Sequence, residues 1–220
     1  MRTKCAIFDF DGTLFDSMSV WDGVGEAFLR ACGKEPRPSL REDVRALSLH
    51  QSACYFRREY GISLPAEEIM NRINRLIEDA YIYEVLPKPG VTAFLDRMPD
   101  AGISMCIATA TDRYLIEAAL SRCGMMRYFD AIFTCGEIGS GKDTPVIFRT
   151  AMAYLGADRN ATVVFEDSLH AVQTAKSDGF AVAAVFDSSE NQQQALRLLA
   201  DCYIPDFAHT DDFWAFASAK

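Results

Sequence analysis

The chain has 220 residues, half of them hydrophobic, and its 31 acidic residues outnumber 22 basic ones to give a net charge of -9. This length allows one sizeable core, or a core domain with a small second domain. This net negative charge disfavours nucleic acids and anionic membranes as partners. For the same reason, an anionic substrate would need a cation close to its binding site. The seven cysteines form no CxxC pair, which favours reduced thiols. The N-terminal residues are not typical of a signal peptide or a membrane span, so we expect a cytoplasmic protein.

Six short apolar runs alternate with helical patterns along most of the chain. The first run is "KCAIFDF", and the others cover 102–109, 130–135, 161–167, 180–186 and the segment "CYIPDF". Helical patterns begin near Asp112, Pro145 and Ser168. Because alternating strands and helices form βαβ crossovers, we expect an α/β fold with a parallel sheet and helices on both of its faces.

Residues 17–86, called the insert below, interrupt this alternation with helical patterns alone. An apolar stripe over 18–28 predicts one helix, residues 40–60 predict a second, and the segment that follows predicts a third. The connector "LPKPGV" then returns the chain to the α/β pattern. We therefore expect two domains: an α/β core of residues 1–16 and 87–220, and an all-helical domain formed by the insert.

Acidic residues end two of the predicted strands. Asp9 and Asp11 end the first strand, and Glu166 and Asp167 end the fourth. A lone pair of aspartates is usually a solvated turn. Four carboxyls delivered to one edge of a sheet, however, are costly without a cation. Oxygen ligands of this kind suit Mg²⁺, so the sequence predicts a magnesium site.

Two further segments could place phosphate-binding groups at the same edge. Thr109 ends the second strand, where a hydroxyl and the next backbone N–H could hold phosphate oxygens, although such a threonine is often only a helix cap. Lys142 follows a strand and the glycine-rich stretch "GEIGSGK". This stretch matches a nucleotide P-loop except that Asp143 replaces the final Ser or Thr. A nucleotide-binding protein that uses the Gly136–Lys142 loop is therefore one alternative, and a solvated loop lysine is another.

Taken together, four segments resemble the motifs of the haloacid dehalogenase-like hydrolases. They are "DFDGT", Thr109 at the end of "CIAT", Lys142 in "GKDTP", and "FEDS". The resemblance covers nearly the whole chain and implies a Rossmann-like core with a helical cap inserted after the first motif. The chain departs from the family pattern at Asp143, where proline is common, and at Ala171, where glycine is usual.

The resemblance also implies a mechanism. Asp9 would be the nucleophile that forms an aspartyl-phosphate, and Asp11 would be the general acid and base. Mg²⁺ would be held by Asp9, Asp167 and the backbone carbonyl of Asp11, with Glu166 orienting bound water or ligating directly. The residues implied to bind the phosphoryl group are Thr109, Ala110 and Lys142. We interpret the glycines before Lys142 as a flexible segment that lets the lysine reach this site.

By the same resemblance the insert would close over the site and set its specificity. Trp21 is a candidate wall of the substrate pocket, and Arg45 is a candidate for binding an anionic substrate. Mutases of the β-phosphoglucomutase type carry a histidine in the first helix of the cap, whereas this chain has Trp21 there and no histidine nearby. We therefore expect a Mg²⁺-dependent phosphatase for a small phosphomonoester metabolite, with a phosphomutase as the alternative. A monomer is compatible with the sequence, which defines neither the oligomeric state nor the ester.

Overall fold

The computed structural model describes residues 3–44 and 47–219. Its centre is a six-stranded sheet with the strand order β3-β2-β1-β4-β5-β6, in which every neighbouring pair is parallel. The strands are β1 (Cys5–Phe8), β2 (Ser104–Thr109), β3 (Ala131–Thr134), β4 (Thr162–Glu166), β5 (Ala181–Val185) and β6 (Cys202–Ile204). The predicted α/β class and all six predicted strands are confirmed.

Helices surround this sheet. Within the described residues the α-helices are α1 (Met18–Trp21), α2 (Val24–Ala31), α3 (Leu40–Val44), α4 (Leu49–Tyr60), α5 (Ala66–Asp79), α6 (Val91–Asp100), α7 (Arg113–Arg122), α8 (Cys135–Ile138), α9 (Val146–Tyr154), α10 (Leu169–Ser177), α11 (Gln193–Leu199) and α12 (Asp211–Ala219). None of the helices in this described part of the chain is both long and apolar enough to cross a membrane. The helix α12 was not predicted from the sequence.

The two faces of the sheet bury separate hydrophobic clusters, because successive side chains of a strand point to opposite faces. On β1, Ala6 and Phe8 belong to the cluster under α6, α7 and α12. Ile7, between them, belongs to the cluster under α9, α10 and α11. The core therefore has three layers, and the central strands β1 and β4 are buried on both faces.

The insert forms a third hydrophobic cluster, which includes Phe28, Phe56 and Ile73. The expectation of one helix over 18–28 is wrong, because the helix is interrupted at Gly23. The φ of Gly23 is 74°, a left-handed conformation that glycine adopts at little cost, and α2 begins at the next residue.

A new helix also begins inside the segment predicted as one helix over 40–60. The Ser48 hydroxyl accepts from the Gln51 backbone N–H (3.2 Å), and the Gln51 side-chain oxygen accepts from the Ser48 backbone N–H (2.7 Å). This reciprocal capping box satisfies backbone donors at the start of α4 and explains why α3 and α4 are separate helices. The helix predicted as the third of the insert is α5, which continues into a π-helical turn, Ala80–Glu84.

The glycine-rich stretch before Lys142 is partly helical. Gly136 lies inside α8, whose first turn is capped where the Thr134 hydroxyl accepts from the Glu137 backbone N–H at 3.2 Å. The interpretation of these glycines as a flexible segment is therefore wrong for Gly136. The remaining loop to Lys142 begins at Gly139, which ends α8 with a left-handed φ of 72°.

Candidate active site

The candidate site lies at the carboxyl ends of β1 and β4, where the sheet order changes direction. The chain builds β2 and β3 on one side of β1, and then returns to build β4, β5 and β6 on the other. The connections after β1 and β4 therefore diverge and leave a crevice, which is where open parallel sheets bind ligands.

Three of the four predicted carboxyls meet in this crevice. Asp9, Glu166 and Asp167 each offer an oxygen, and these oxygens all lie within 4.8 Å of one another. All three residues are buried. The loop after β1 can pass closely over Asp167 because residue 12 is glycine: its φ is 75°, and a Cβ there would lie 2.5 Å from an Asp167 carboxylate oxygen.

Lys142 inserts its ammonium group among these carboxylates. Its Nζ donates a hydrogen bond to Asp9 Oδ1 and another to Glu166 Oε1, the latter at 2.5 Å. Burial alone would lower the pKa of Lys142, but the Asp9 and Glu166 carboxylates outweigh burial and raise it above the usual range. The two carboxylates therefore favour the charged form of Lys142.

One lysine does not balance three carboxylates. Lys88, whose charge also acts on Asp167, forms its own ion pair with Asp187 at 2.8 Å. Burial raises the pKa of Glu166 to about 7 against the opposing effect of Lys142, and burial together with Asp9 and Glu166 raises the pKa of Asp167. Because uncompensated buried charge is expensive, this donor set fits a hard divalent cation with oxygen ligands.

Asp11 occupies a different environment from the three clustered carboxylates. The Ser17 hydroxyl donates to its Oδ1 at 2.5 Å, the Thr111 hydroxyl donates to its Oδ2 at 2.6 Å, and the Tyr81 hydroxyl also donates to Oδ1. Burial and the nearby Asp9 raise the pKa of Asp11, while the three hydroxyl donors lower it. The carboxyl is thus held in one orientation by three side chains that sequence reasoning missed.

Tyr81 is itself held by a second residue of the insert. The indole Nε1–H of Trp21 donates to the Tyr81 hydroxyl at 2.8 Å. Tyr81 is fully buried and lies in the π-helical turn that ends the helical part of the insert. Nothing in the local sequence pattern marks it as a site residue, because its contact with Asp11 spans 70 residues of chain.

The predicted phosphate-binding residues face the same cavity as the carboxylates. This cavity has a volume of about 310 Å³ and is lined by Thr109, Ala110 and Lys142 as well as by Asp9 and Asp11. Thr109 is buried at the end of β2, and its hydroxyl accepts a hydrogen bond from the Thr111 backbone N–H at 3.1 Å. The structure thus brings these five predicted residues together.

The insert forms the opposite wall of the cavity. Trp21 lines this wall of the cavity, whereas Arg45 lies outside the described residues. The insert also contacts the Lys142 loop directly, because Gln51 Nε2 donates to Asp143 Oδ2 at 3.2 Å. A Cβ on Gly141 would lie only 3.3 Å from Gln51 Oε1, so this glycine permits the close approach.

The geometry around Lys142 differs from that of a nucleotide cradle. The first three residues of the P-loop-like stretch, 136–138, lie in the helix α8, and the Lys142 ammonium group contacts carboxylates. A P-loop lysine reaches phosphate oxygens, and its following hydroxyl binds Mg²⁺, whereas here Asp143 contacts the insert instead. The nucleotide-binding alternative therefore gains no support from the site.

Comparison with known proteins gives consistent matches. Residues 3–179 match the family model for haloacid dehalogenase-like hydrolase. The chain is 24% identical over 176 residues to a phosphorylated carbohydrates phosphatase of Thermotoga maritima, covering 80% of this chain and 82% of that protein. It is 26% identical over 200 residues to hexitol phosphatase B of Escherichia coli (strain K12), covering 89% of each. Among solved structures, CbbY from Rhodobacter sphaeroides in complex with phosphate has the same fold, with a TM-score of 0.82, 23% identity and coverage of 96% and 97%.

Proposed function

The chain belongs to the haloacid dehalogenase-like hydrolase family and is a phosphatase of small phosphorylated compounds, and we propose that it works through an aspartyl-phosphate on Asp9 with Mg²⁺ as cofactor. The observation that carries the proposal is the buried group of Asp9, Glu166 and Asp167 around Lys142, at the floor of a cavity that also contains Asp11. The phosphomutase alternative is not favoured.

Asp9 is the nucleophile in this proposal. Its Oδ1 accepts a hydrogen bond from Lys142, which fixes the position of one carboxylate oxygen. The other oxygen attacks phosphorus, and the bond from phosphorus to the leaving oxygen breaks. Thr109 and the Ala110 backbone N–H bind the oxygens of the transferred group, so positioning and charge stabilisation supply most of the rate enhancement.

The metal would be held by Asp9, Asp167 and the backbone carbonyl of Asp11, with Glu166 beside them. When bound, a divalent cation offsets the repulsion between the Asp9 carboxylate and the substrate dianion. Lys142 neutralises part of the same negative charge, because its Nζ pairs with both Asp9 and Glu166.

Asp11 is the general acid and base. It protonates the leaving oxygen in the first step, and in the second it removes a proton from the water that hydrolyses the aspartyl-phosphate. Such a group contributes about 10²–10⁴-fold to a rate. The hydroxyls of Ser17, Thr111 and Tyr81 hold it in place for both steps.

The insert acts as a cap over the site, with boundaries at residues 17 and 86. The two chain segments that join it to the core lie side by side: the Asp16 backbone N–H donates to Leu86 O at 3.0 Å, and the Lys88 backbone N–H donates to Leu14 O at 2.8 Å. This paired attachment and the separate hydrophobic cluster of the insert support treating it as a unit that excludes water during phosphoryl transfer.

The test is release of inorganic phosphate from a panel of phosphomonoesters in the presence of Mg²⁺. We expect turnover by the unaltered chain and none by Asp9→Asn, a nearly isosteric change that removes the nucleophile. Acid quenching during turnover should trap one phosphoryl group on the peptide that contains Asp9, and Asp11→Asn should slow both its formation and its hydrolysis. The matched control is Asp16→Asn, an exposed aspartate nearby in the chain, which should behave like the unaltered protein.

Normal turnover of p-nitrophenyl phosphate by Asp9→Asn would overturn the assignment of the nucleophile. Turnover by the unaltered chain without a trapped phosphoryl group, under conditions that outrun hydrolysis, would instead favour direct attack by water. An ATP-binding measurement on the same preparation tests the Gly136–Lys142 alternative, and we expect no binding that depends on that loop.

A further inference from the structure

The end of the active-site cavity that faces the insert is built mainly from hydrocarbon. The carboxylates, Thr109 and Lys142 form the end that would hold the phosphoryl group, so the substrate's leaving group must occupy the other end. The apolar side chains that line that end are Trp21, Val24, Leu47, Leu49, Phe56 and Ile73.

This apolar wall is continuous with the hydrophobic core of the insert. Phe56 and Ile73 are buried members of the cluster that fills the insert, and Trp21, Val24 and Leu49 pack against it. Packed side chains of this kind cannot rotate away to bring a polar group into the cavity. The wall therefore presents a fixed apolar shape to the leaving group.

Few of the described side chains at this end are polar, and several of these already have partners. The Trp21 Nε1–H is taken by Tyr81, so the indole offers only carbon atoms to the cavity. Arg41 pairs with Asp22 at 2.7 Å at the exposed rim. The Ser48 hydroxyl accepts from the Gln51 backbone N–H as part of the helix cap, and Ser52 adds one more hydroxyl.

A polyhydroxylated leaving group suits this arrangement poorly. Each hydroxyl that loses water without gaining a partner weakens binding by roughly one to two powers of ten. An alkyl or aromatic leaving group has no such loss, and every methylene that enters an apolar pocket gains about 10-fold or more. Resting on the proposed phosphatase function, we propose that the cavity selects phosphomonoesters whose leaving group is apolar, either alkyl or aromatic, over esters of sugars and sugar alcohols.

Pairs of esters with the same carbon chain test this selection. We would measure kcat/KM of the full-length protein with Mg²⁺ for hexyl phosphate against sorbitol 6-phosphate, and for propyl phosphate against glycerol 3-phosphate. Hexyl phosphate should be preferred by at least about 10-fold, and the shorter pair should show the same preference with a smaller ratio. Benzyl phosphate should behave like hexyl phosphate.

A nearly isosteric substitution locates the selection in this wall. Val24→Thr places a hydroxyl in the apolar surface at the first residue of α2, and should reduce the preference for hexyl phosphate about 3- to 10-fold. Val146→Thr is the matched control, because Val146 is also the first residue of a helix, α9, but is exposed and outside the cavity. It should leave the preference unchanged.

The possible results distinguish the apolar selection from the phosphatase function itself. A preference for sorbitol 6-phosphate or glycerol 3-phosphate overturns the apolar selection while leaving the phosphatase function intact. An equal preference in Val24→Thr and the unaltered protein overturns the role given to this wall. No phosphate release from any ester overturns the proposed function, and this inference with it.

Discussion

Replacing Tyr81 by phenylalanine should impair the acid step of the reaction selectively. The substitution removes one hydroxyl, which donates to Asp11 Oδ1 and accepts from the Trp21 indole N–H. Asp11 keeps its hydrogen bonds from Ser17 and Thr111, so its carboxyl stays in the site but loses one of three fixed donors. The consequence should be a less well positioned proton donor rather than a missing one.

The size of the effect follows from the kind of hydrogen bond removed. A hydrogen bond to a charged group contributes about 1.5–3 kcal/mol. Because two donors remain on Asp11, we expect the lower end of this range, and about 1.5 kcal/mol corresponds to roughly a 10-fold change in rate. The Trp21 indole N–H also loses its acceptor, which should lower the free energy of unfolding by about 1–3 kcal/mol. A domain with the usual stability of about 5–15 kcal/mol remains folded after such a loss.

Two substrates with different leaving groups distinguish positioning of the acid from general damage. The leaving oxygen of p-nitrophenyl phosphate departs readily without a proton, whereas that of propyl phosphate needs one. Since kcat/KM reports the free-energy difference from free enzyme and substrate to the transition state, Tyr81→Phe should lower it about 10-fold for propyl phosphate and less than about 3-fold for p-nitrophenyl phosphate. The control is Tyr83→Phe, which makes the same change at an exposed residue of the same π-helical turn.

An equal loss of activity with the two esters would contradict this role of Tyr81, because an acid held by Tyr81 must matter more to the poorer leaving group. Unchanged activity with both esters, together with a lower melting temperature, would also contradict it, since Tyr81 would then make a purely structural contact. Circular dichroism of each variant should accompany the kinetics, so that a fall in the folded fraction is not mistaken for a fall in rate.

Two other predictions concern Lys142 and the metal. Lys142→Met leaves buried carboxylates unpaired and should lower kcat/KM about 10²–10³-fold, equivalent to roughly 3–4 kcal/mol. Gly136→Ala, whose Cβ would lie 3.4 Å from Asp112 Oδ1, should change kcat/KM less than about 3-fold. A larger loss in Gly136→Ala than in Lys142→Met would favour a nucleotide cradle. Chelation with EDTA should abolish phosphate release. The pKa of Glu166 is raised from 4.5 to about 7, so the metal-free protein should lose stability as the pH rises from about 4.5 through about 7. Differential scanning fluorimetry should therefore show a larger stabilisation by Mg²⁺ at pH 8 than at pH 5. A metal-free melting temperature that rises over this pH range would contradict the placement of Glu166.

The fold could be predicted because its signals are local. Each strand of the core is a short apolar run, buried on both faces in the structure for β1, β4 and β5. The site residues Asp9, Glu166 and Asp167 could be predicted for a related reason, because the residues that end neighbouring parallel strands necessarily meet at one edge. Periodicity and topology together were sufficient to bring them into one place.

The failures have equally local explanations. Gly23 divides the predicted first helix of the insert, and a glycine inside a helical pattern can indicate such an interruption. Thr134 and Glu137 match the start of a capped helix, but the glycine spacing of a P-loop obscured that pattern. Ser17 and Tyr81 could not be found in this way, since their contacts with Asp11 depend on how the insert packs on the core. Thr111 lies in the core, two residues after the end of β2, and its contact with Asp11 depends on the conformation of the loop there.

Asp11, the proposed acid–base group, accepts hydrogen bonds from residues near both ends of the insert. Ser17 stands where the chain enters the insert, and Tyr81 stands where it is about to leave, yet both hydroxyls donate to the same carboxylate oxygen. Thr111, from the core, donates to the other oxygen. Tyr81 is also buried in the hydrophobic cluster under α6, α7 and α12, so its contact with Asp11 depends on how this part of the insert packs on the core. In the proposed mechanism, proton transfer by Asp11 and exclusion of water by the insert would therefore depend on the same packing.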